Sequence, residues 1–230
     1  MLKLMKLELK RFKLKGYMIG FAICSIVISA FMIMMIFSPK FDDSRVVENY
    51  EMLFVMISTF IRATFMVYAG VLIANLVVSE FKDRSITVLF LYPIPRKKLL
   101  TAKLLIVVIL TYFAMLLSYI IVGTIAVTVS QFTDLIPGSL TFDLIQKNAV
   151  VFTYSALAAT GMSLISLFFG MRKKSTVATI VSSVILVMIV CSNNMGYSLD
   201  QIIIIPIILS LIGVSIAYLS INKIDHVDIN

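Results

Sequence analysis

Residues Leu104 to Ser130 read LLIVVILTYFAMLLSYIIVGTIAVTVS, an unbroken run without one charged side chain. A helix crosses the roughly 30 Å hydrocarbon core of a bilayer with about 20 apolar residues, so this run is long enough to span. Arg96, Lys97, Lys98 and Lys103 stand directly before it and mark where the chain leaves water. Working outward in both directions, five further apolar runs are bounded by charge clusters: Gly16–Ser38, Met52–Ser79, Ala149–Gly170, Thr176–Ser192 and Ile202–Ile221. The chain has 230 residues, 60% hydrophobic and 14% charged, far from the soluble norm of about 45–50% apolar and 25% charged. The expected fold is therefore an all-α polytopic membrane protein with six transmembrane helices over residues 16–221. An N-terminal interfacial helix (1–15) precedes them and a short tail (222–230) follows. The first run is too long for the apolar part of a signal peptide and no small-residue cleavage site follows it, so it is expected to be retained.

Lys and Arg set the orientation. Six lie in the N-terminal tail (Lys3, Lys6, Lys10, Arg11, Lys13, Lys15), six in the second connection (Lys82, Arg84, Arg96, Lys97, Lys98, Lys103), three in the fourth (Arg172, Lys173, Lys174) and one, Lys223, in the C-terminal tail. These alternate segments share one side of the membrane. Lys40, Arg45, Arg62 and Lys147 fall on the other, together with Asp42, Asp43, Glu48, Glu51, Asp134, Asp143 and Asp200. The positive-inside rule then places both termini in the cytoplasm. It also accounts for the net charge of +8 without nucleic acid. The outer connections, roughly Pro39–Glu51, Gln131–Asn148 with its Pro137–Gly138 turn, and Asn193–Gln201, are too short for a folded extracellular domain.

The spans also restrict the energy source. Secondary transporters carry Asp, Glu or His at membrane depth to bind an ion or proton, and no span here contains one. Arg62 is the one ionised residue inside an apolar run. It precedes Glu80 by 18 residues, a rise of about 27 Å that places it close to the outer interface. Two readings stand: an Arg that snorkels to the outer headgroups, and a pathway residue touching an anionic group of cargo or lipid. A G-x-x-x-x-G-K-[ST] phosphate loop is absent, and Gly170–Ser175 lacks its glycine spacing. Active transport would then require an energy-supplying partner on the cytoplasmic side.

The connection Glu80–Lys103 is suited to meet such a partner. Ile86 to Tyr92 (ITVLFLY) is too short to span and too apolar to lie free in water, so it must pack on the membrane surface, on its own helices or in a partner's groove. Pro93 and Pro95 end any helix there, because neither has an amide donor and each drives its predecessor toward an extended backbone. Arg96 to Lys103 can then restart a helix into the third span. The segment reads as a short amphipathic lever beneath the spans; a partner-free surface anchor is the competing reading.

The pattern Glu80-Phe81-Lys82-Asp83-Arg84-Ser85, then Leu89-Phe90-Leu91-Tyr92-Pro93-Ile94-Pro95-Arg96 and Lys103, resembles the cytoplasmic loop of type-2 ABC transporter permeases. It is most similar to the small permeases of bacitracin-resistance, lantibiotic-immunity and peptide-toxin exporters. The resemblance implies a coupling helix seated in a cleft of a separate ATP-binding subunit. By position, Glu80, Phe81, Lys82 and Arg84 would begin that contact, and Ile86 would open the lever. Leu89, Phe90 and Tyr92 would fill the apolar groove, and Pro93, Pro95 and Arg96 would fix its exit. It further implies two such ATPases carrying ATP and Mg, a second permease copy, a bacterial cell membrane, and an amphipathic peptide as cargo. The chain itself would hold no cofactor.

Other features weigh less. Leu2, Met5, Leu9 and Phe12 run beside Lys3, Lys6, Lys10 and Lys13 at helical spacing, which gives an interfacial helix that serves as topology anchor or as a second ATPase contact. Gly16 with Gly20, and Ser155, Ala159 and Ser163 on the fourth span, permit close helix approach. Fourteen Met residues suit adaptable packing or varied apolar cargo. Asp42, Asp43, Glu48 and Glu51 form either a solvated loop or an outer mouth attractive to cationic peptides. Cys24 and Cys191 have no disulfide or metal spacing, and His226 has no ligand constellation to join, so neither a metal nor a catalytic centre is expected.

Overall fold

The computed structural model describes residues 14–37, 47, 49–79, 96–133, 136, 140–173, 175–191, 193–194, 197–198 and 204–223. Helix α1 is Leu14–Ile36, α2 is Tyr50–Ile73 continued by a π-helical segment Ala74–Val78, and α3 is Arg96–Thr133. Then come α4 (Phe142–Ser163), α5 (Ile165–Lys173), α6 (Thr176–Val190), strands β1 (Asn193–Asn194) and β2 (Tyr197–Ser198), and α7 (Ile204–Lys223). Among the described residues, four stretches are long and apolar enough to cross a membrane: Gly16–Ile36, Tyr50–Val78, Lys98–Thr133 and Phe142–Lys173. Two shorter apolar helices, Thr176–Val190 and Ile205–Ile221, follow them.

Helix α3 begins at Arg96, where the sequence allows a helix to restart after Pro95, and runs unbroken into the uncharged stretch. Other boundaries differ from the sequence expectation, each for a local reason. The fourth stretch starts at Phe142 instead of Ala149: Asp143 sits in the first turn, where a carboxylate complements the helix dipole, and Lys147 rides on the helix. The same stretch is interrupted at Leu164. There Leu164 N–H donates to Gly161 O at 3.2 Å and Leu167 N–H to Leu164 O at 3.1 Å, so the spiral tightens to i→i+3 bonding. Ser163 and Ser166 hydroxyls also bond back to Thr160 O and Ser163 O, a known cause of helix bending.

Helix α6 ends at Val190 with Cys191 as its C-cap, so its 15 residues rise only about 22 Å. Just beyond it, within the outer connection of an otherwise all-helical chain, β1 and β2 pair antiparallel over two residues each, Asn193 opposite Ser198 and Asn194 opposite Tyr197. The interfacial helix expected over 1–15 and the tail over 222–230 lie outside the described residues, apart from the first turn of α1 and the last residues of α7.

Apolar side chains such as Leu53, Ile57 and Phe65 fill the core, yet many others cover the surface while small hydroxyl residues are buried. Met34 is 73% exposed and Leu211 63%, whereas Thr111, Ser118 and Thr179 are 0% exposed. Apolar surface on this scale has no soluble solution, and small hydroxyl residues between helices are the packing mode of lipid-embedded proteins. The hydroxyls are not stranded: Thr111 donates to Val107 O, Thr179 to Ser175 O, and Ser25 and Ser118 share a hydrogen bond of 2.7 Å between α1 and α3.

The chain divides into two compact units. One comprises the described residues within 65–112 and 157–223; the other comprises those within 14–64 and 113–156. In the first, α5 packs on α6, α7 packs on α5, and both α5 and α6 pack on the π segment. In the second, Phe31 meets Phe60 edge-on at 5.0 Å and Tyr119 stacks on Phe152 at 4.1 Å.

Candidate functional site

The segment of interest leaves α2 after Ser79 and returns at Arg96, and its two stems are well defined. The departing stem is the π segment, in which Ala74, Leu76, Val77 and Val78 are all buried. A π turn widens the spiral by one residue, so Ser79 N–H reaches back to Ala74 O, and the Ser79 hydroxyl donates to Asn75 O. The returning stem is the first turns of α3. Lys103 projects from it, is only 2% exposed, and its Nζ donates to Leu76 O at 3.5 Å. An ammonium has three donors and no acceptor, and here one of them is spent on a backbone carbonyl of the π segment. Lys103 thus ties the two ends of the connection together.

The π segment is clamped from its other side. Gly170 of α5 lies against Val78 and Thr179, and Gly70 of α2 against Ser183 of α6, so closely that any side chain at either glycine would overlap those neighbours. Gly161 of α4 and Gly213 of α7 meet in the same manner, Gly213 against the Gly161 carbonyl and Gly161 against Ser210. Helix α6 starts here with Ser175 as N-cap, its hydroxyl accepting from Ala178 N–H. Departing stem, α5 and α6 therefore form one tightly fitted node.

Of the residues singled out from sequence, Glu80, Phe81, Lys82, Arg84, Ile86, Leu89, Phe90, Tyr92, Pro93 and Pro95 lie outside the described residues. Arg96 opens α3, as a residue that restarts a helix after Pro95 should. Arg62 lies within α2, twelve residues after Tyr50, a rise of about 18 Å. It is half-buried; its Nε donates to Ser58 O at 3.2 Å and its Nη2 to Thr59 Oγ1 at 3.4 Å. Both partners lie one turn toward the N-terminal end of α2, the end that the charge distribution assigns to the outside. Of the small-residue pairs, Ala159 and Ser163 are buried, but Gly16 faces open space.

The sequence pattern contained Lys103 only as the last basic residue of the connection, and nothing in it separates a buried lysine from a solvated one. The glycines at 70, 161, 170 and 213 sit on four different helices, so no G-x-x-x-G spacing joins them; isolated glycines in apolar runs are their one signal.

Residues 4–192 match the family described as ABC-2 family transporter protein. The chain belongs to the ABC-2 transporter family. It is also 39% identical over 227 residues to the uncharacterized protein YcbO of Bacillus subtilis (strain 168), covering 99% of this chain and 100% of that one. No solved structure matches it. As an ABC-2 transporter protein the chain is a membrane component of an ABC transporter, a transport subunit. Membership implies an ATP-binding partner and a dimeric arrangement. The ABC-2 match takes in the connection 80–95 and both stems, up to and including α6.

Proposed function

We propose that this chain is the permease subunit of an ATP-driven ABC exporter in a bacterial cell membrane. Six helical stretches cross, the four long ones with α6 and α7, and both termini face the cytoplasm. Two permease copies pair with two ATP-binding subunits, which carry ATP and Mg and perform all hydrolysis. The segment from Glu80 to Arg96 docks in the ATPase, with Ile86, Leu89, Phe90 and Tyr92 as its apolar face and Glu80, Phe81, Lys82, Arg84, Pro93 and Pro95 framing it.

The observation that carries this reading is the Lys103–Leu76 tie. A loop that rested passively on a membrane would not need its two stems locked at depth, whereas a lever must move both stems as one body. ATP-driven closure of the ATPases would shift the lever, and the π segment would pass that shift to α5 and α6, which pack against it. The cargo is amphipathic peptide, as in the bacitracin-resistance, lantibiotic-immunity and toxin exporters whose loop this one resembles. Apolar walls without central carboxylates suit molecules that already partition into bilayers. Arg62, turned to the outer end of α2, is placed to meet an anionic group of lipid or cargo.

Affinity purification of the tagged chain from its native membrane, followed by an ATPase assay, tests the proposal. Wild type should bring down an ATPase, and Phe90→Asp should lose it while remaining membrane-inserted. A well-inserted wild-type chain that captures no ATPase, even with neighbouring ATPase genes co-expressed, would replace the exporter with a partner-free channel or scaffold. Stimulation of the captured ATPase by a lipid or a hydrophobic drug, and not by amphipathic peptides, would overturn the cargo assignment alone.

A further inference from the structure

An apolar groove of about 490 Å³ lies among α5, α6 and α7, lined by Phe169, Val181, Ile185, Ile189 and Leu209, with Lys173 closing one end. Its lining runs along α6 from Ala178 to Val190, a rise of about 18 Å, close to the depth of one leaflet, half of the roughly 30 Å hydrocarbon core. Lys173 and Arg172 occupy the last turn of α5, both exposed, at the corner where α5 turns into α6. Helices α5, α6 and α7 contain no acidic residue. The groove therefore offers a long apolar channel with two cations, and no acid of α5, α6 or α7, at one end.

We infer that this groove binds an anionic phospholipid of the cytoplasmic leaflet, its acyl chain along α6 and its phosphate at Lys173 and Arg172. Charge and length both select this occupant. A neutral lipid would bring no net negative charge to the two cations. A second copy of this chain, docking through the same face of α5, α6 and α7, would bring no carboxylate to them. Basic corners on the cytoplasmic side of transmembrane helices are the recognised chemistry for acidic headgroups. Because the same α5 and α6 pack on the π segment, the bound lipid would sit directly behind the node that holds the connection's departing stem.

The chain has no tryptophan, so one introduced indole reports on the groove without background. Ile185→Trp, with Val181→Trp as a second reporter should the first fail to fold, is reconstituted in vesicles of mixed phosphatidylglycerol and phosphatidylcholine, one of them brominated at a time. Ile120→Trp on α3, exposed and remote from any charge in sequence, is the control. The expected result is quenching at position 185 that favours brominated phosphatidylglycerol by about five-fold or more, while position 120 shows a ratio near one. Adding Lys173→Gln and Arg172→Gln should bring position 185 to the control ratio. Equal quenching by both lipids at 185, or a preference that survives loss of both cations, overturns the inference. So does quenching at 120 with none at 185, which would mean that a second copy covers the groove. The assay involves no ATPase, so its outcome is separate from that of the exporter reading.

Discussion

The two compact units are packed by opposite means. In the unit holding the loop stems, contacts are made by removing side chains: Gly70 against Ser183, Gly170 against Thr179, Gly161 against Gly213, with buried Lys103 bridging the stems. In the other unit, contacts are made by filling space, Phe31 on Phe60 and Tyr119 on Phe152, beside the hydroxyl pair of Ser25 with Ser118. Its Gly16 and Gly123 meet nothing. A backbone-to-backbone fit has few alternative arrangements, so it transmits displacement. An aromatic and aliphatic fit can repack with small losses. The difference suits a stiff stem region in the one unit and helices that can adapt to varied surroundings in the other.

The sharpest break would come at Gly213. Replacement by Leu must push α7 away from the Gly161 carbonyl, and an overpacking cost of about 3 kcal/mol or more is expected. Gel filtration in mild detergent should show loss of the monodisperse species. Next is Lys103→Ala, which empties a buried site and removes a donor from Leu76 O, at about 2 kcal/mol. Thermal unfolding should report it, and Lys103→Arg should recover part of the loss if the cationic donor matters and not merely the volume.

In the other unit a double-mutant cycle on Tyr119→Leu and Phe152→Leu should give a coupling of about 1 kcal/mol, the ordinary value for an aromatic pair. A coupling as large as the Gly213 effect would erase the contrast between the units. The smallest expected effect is a gain: Gly123→Ala has open space and relieves a helical glycine, for about 0.5 kcal/mol of stabilisation. If Gly123→Ala instead destabilises as Gly213→Leu does, the second unit is as closely fitted as the first.

Much of this was readable from local chemistry. Uncharged runs name spans because a buried backbone must satisfy its own hydrogen bonds in lipid, and Leu104–Ser130 does so as part of one continuous helix. Pro95 followed by Arg96 fixed where α3 starts. The start of α4 is hidden from the sequence pattern because Asp143 and Lys147 look like loop residues, yet charge is tolerated where a helix extends beyond the apolar layer. Arg62 is legible as the one ionised residue inside an apolar run, but its bonds to Ser58 O and Thr59 Oγ1 come only from the geometry of α2.

The sequence by itself determined the membrane class, the apolar runs and the unusual character of residues 80–103, since composition, periodicity and proline chemistry are properties of neighbours along the chain. Only the tertiary structure decided that Lys103 is buried against Leu76, that α2 ends in a π segment, and that four scattered glycines are contact points. Each of those depends on which distant backbone comes within a few ångströms, and no local pattern encodes that distance.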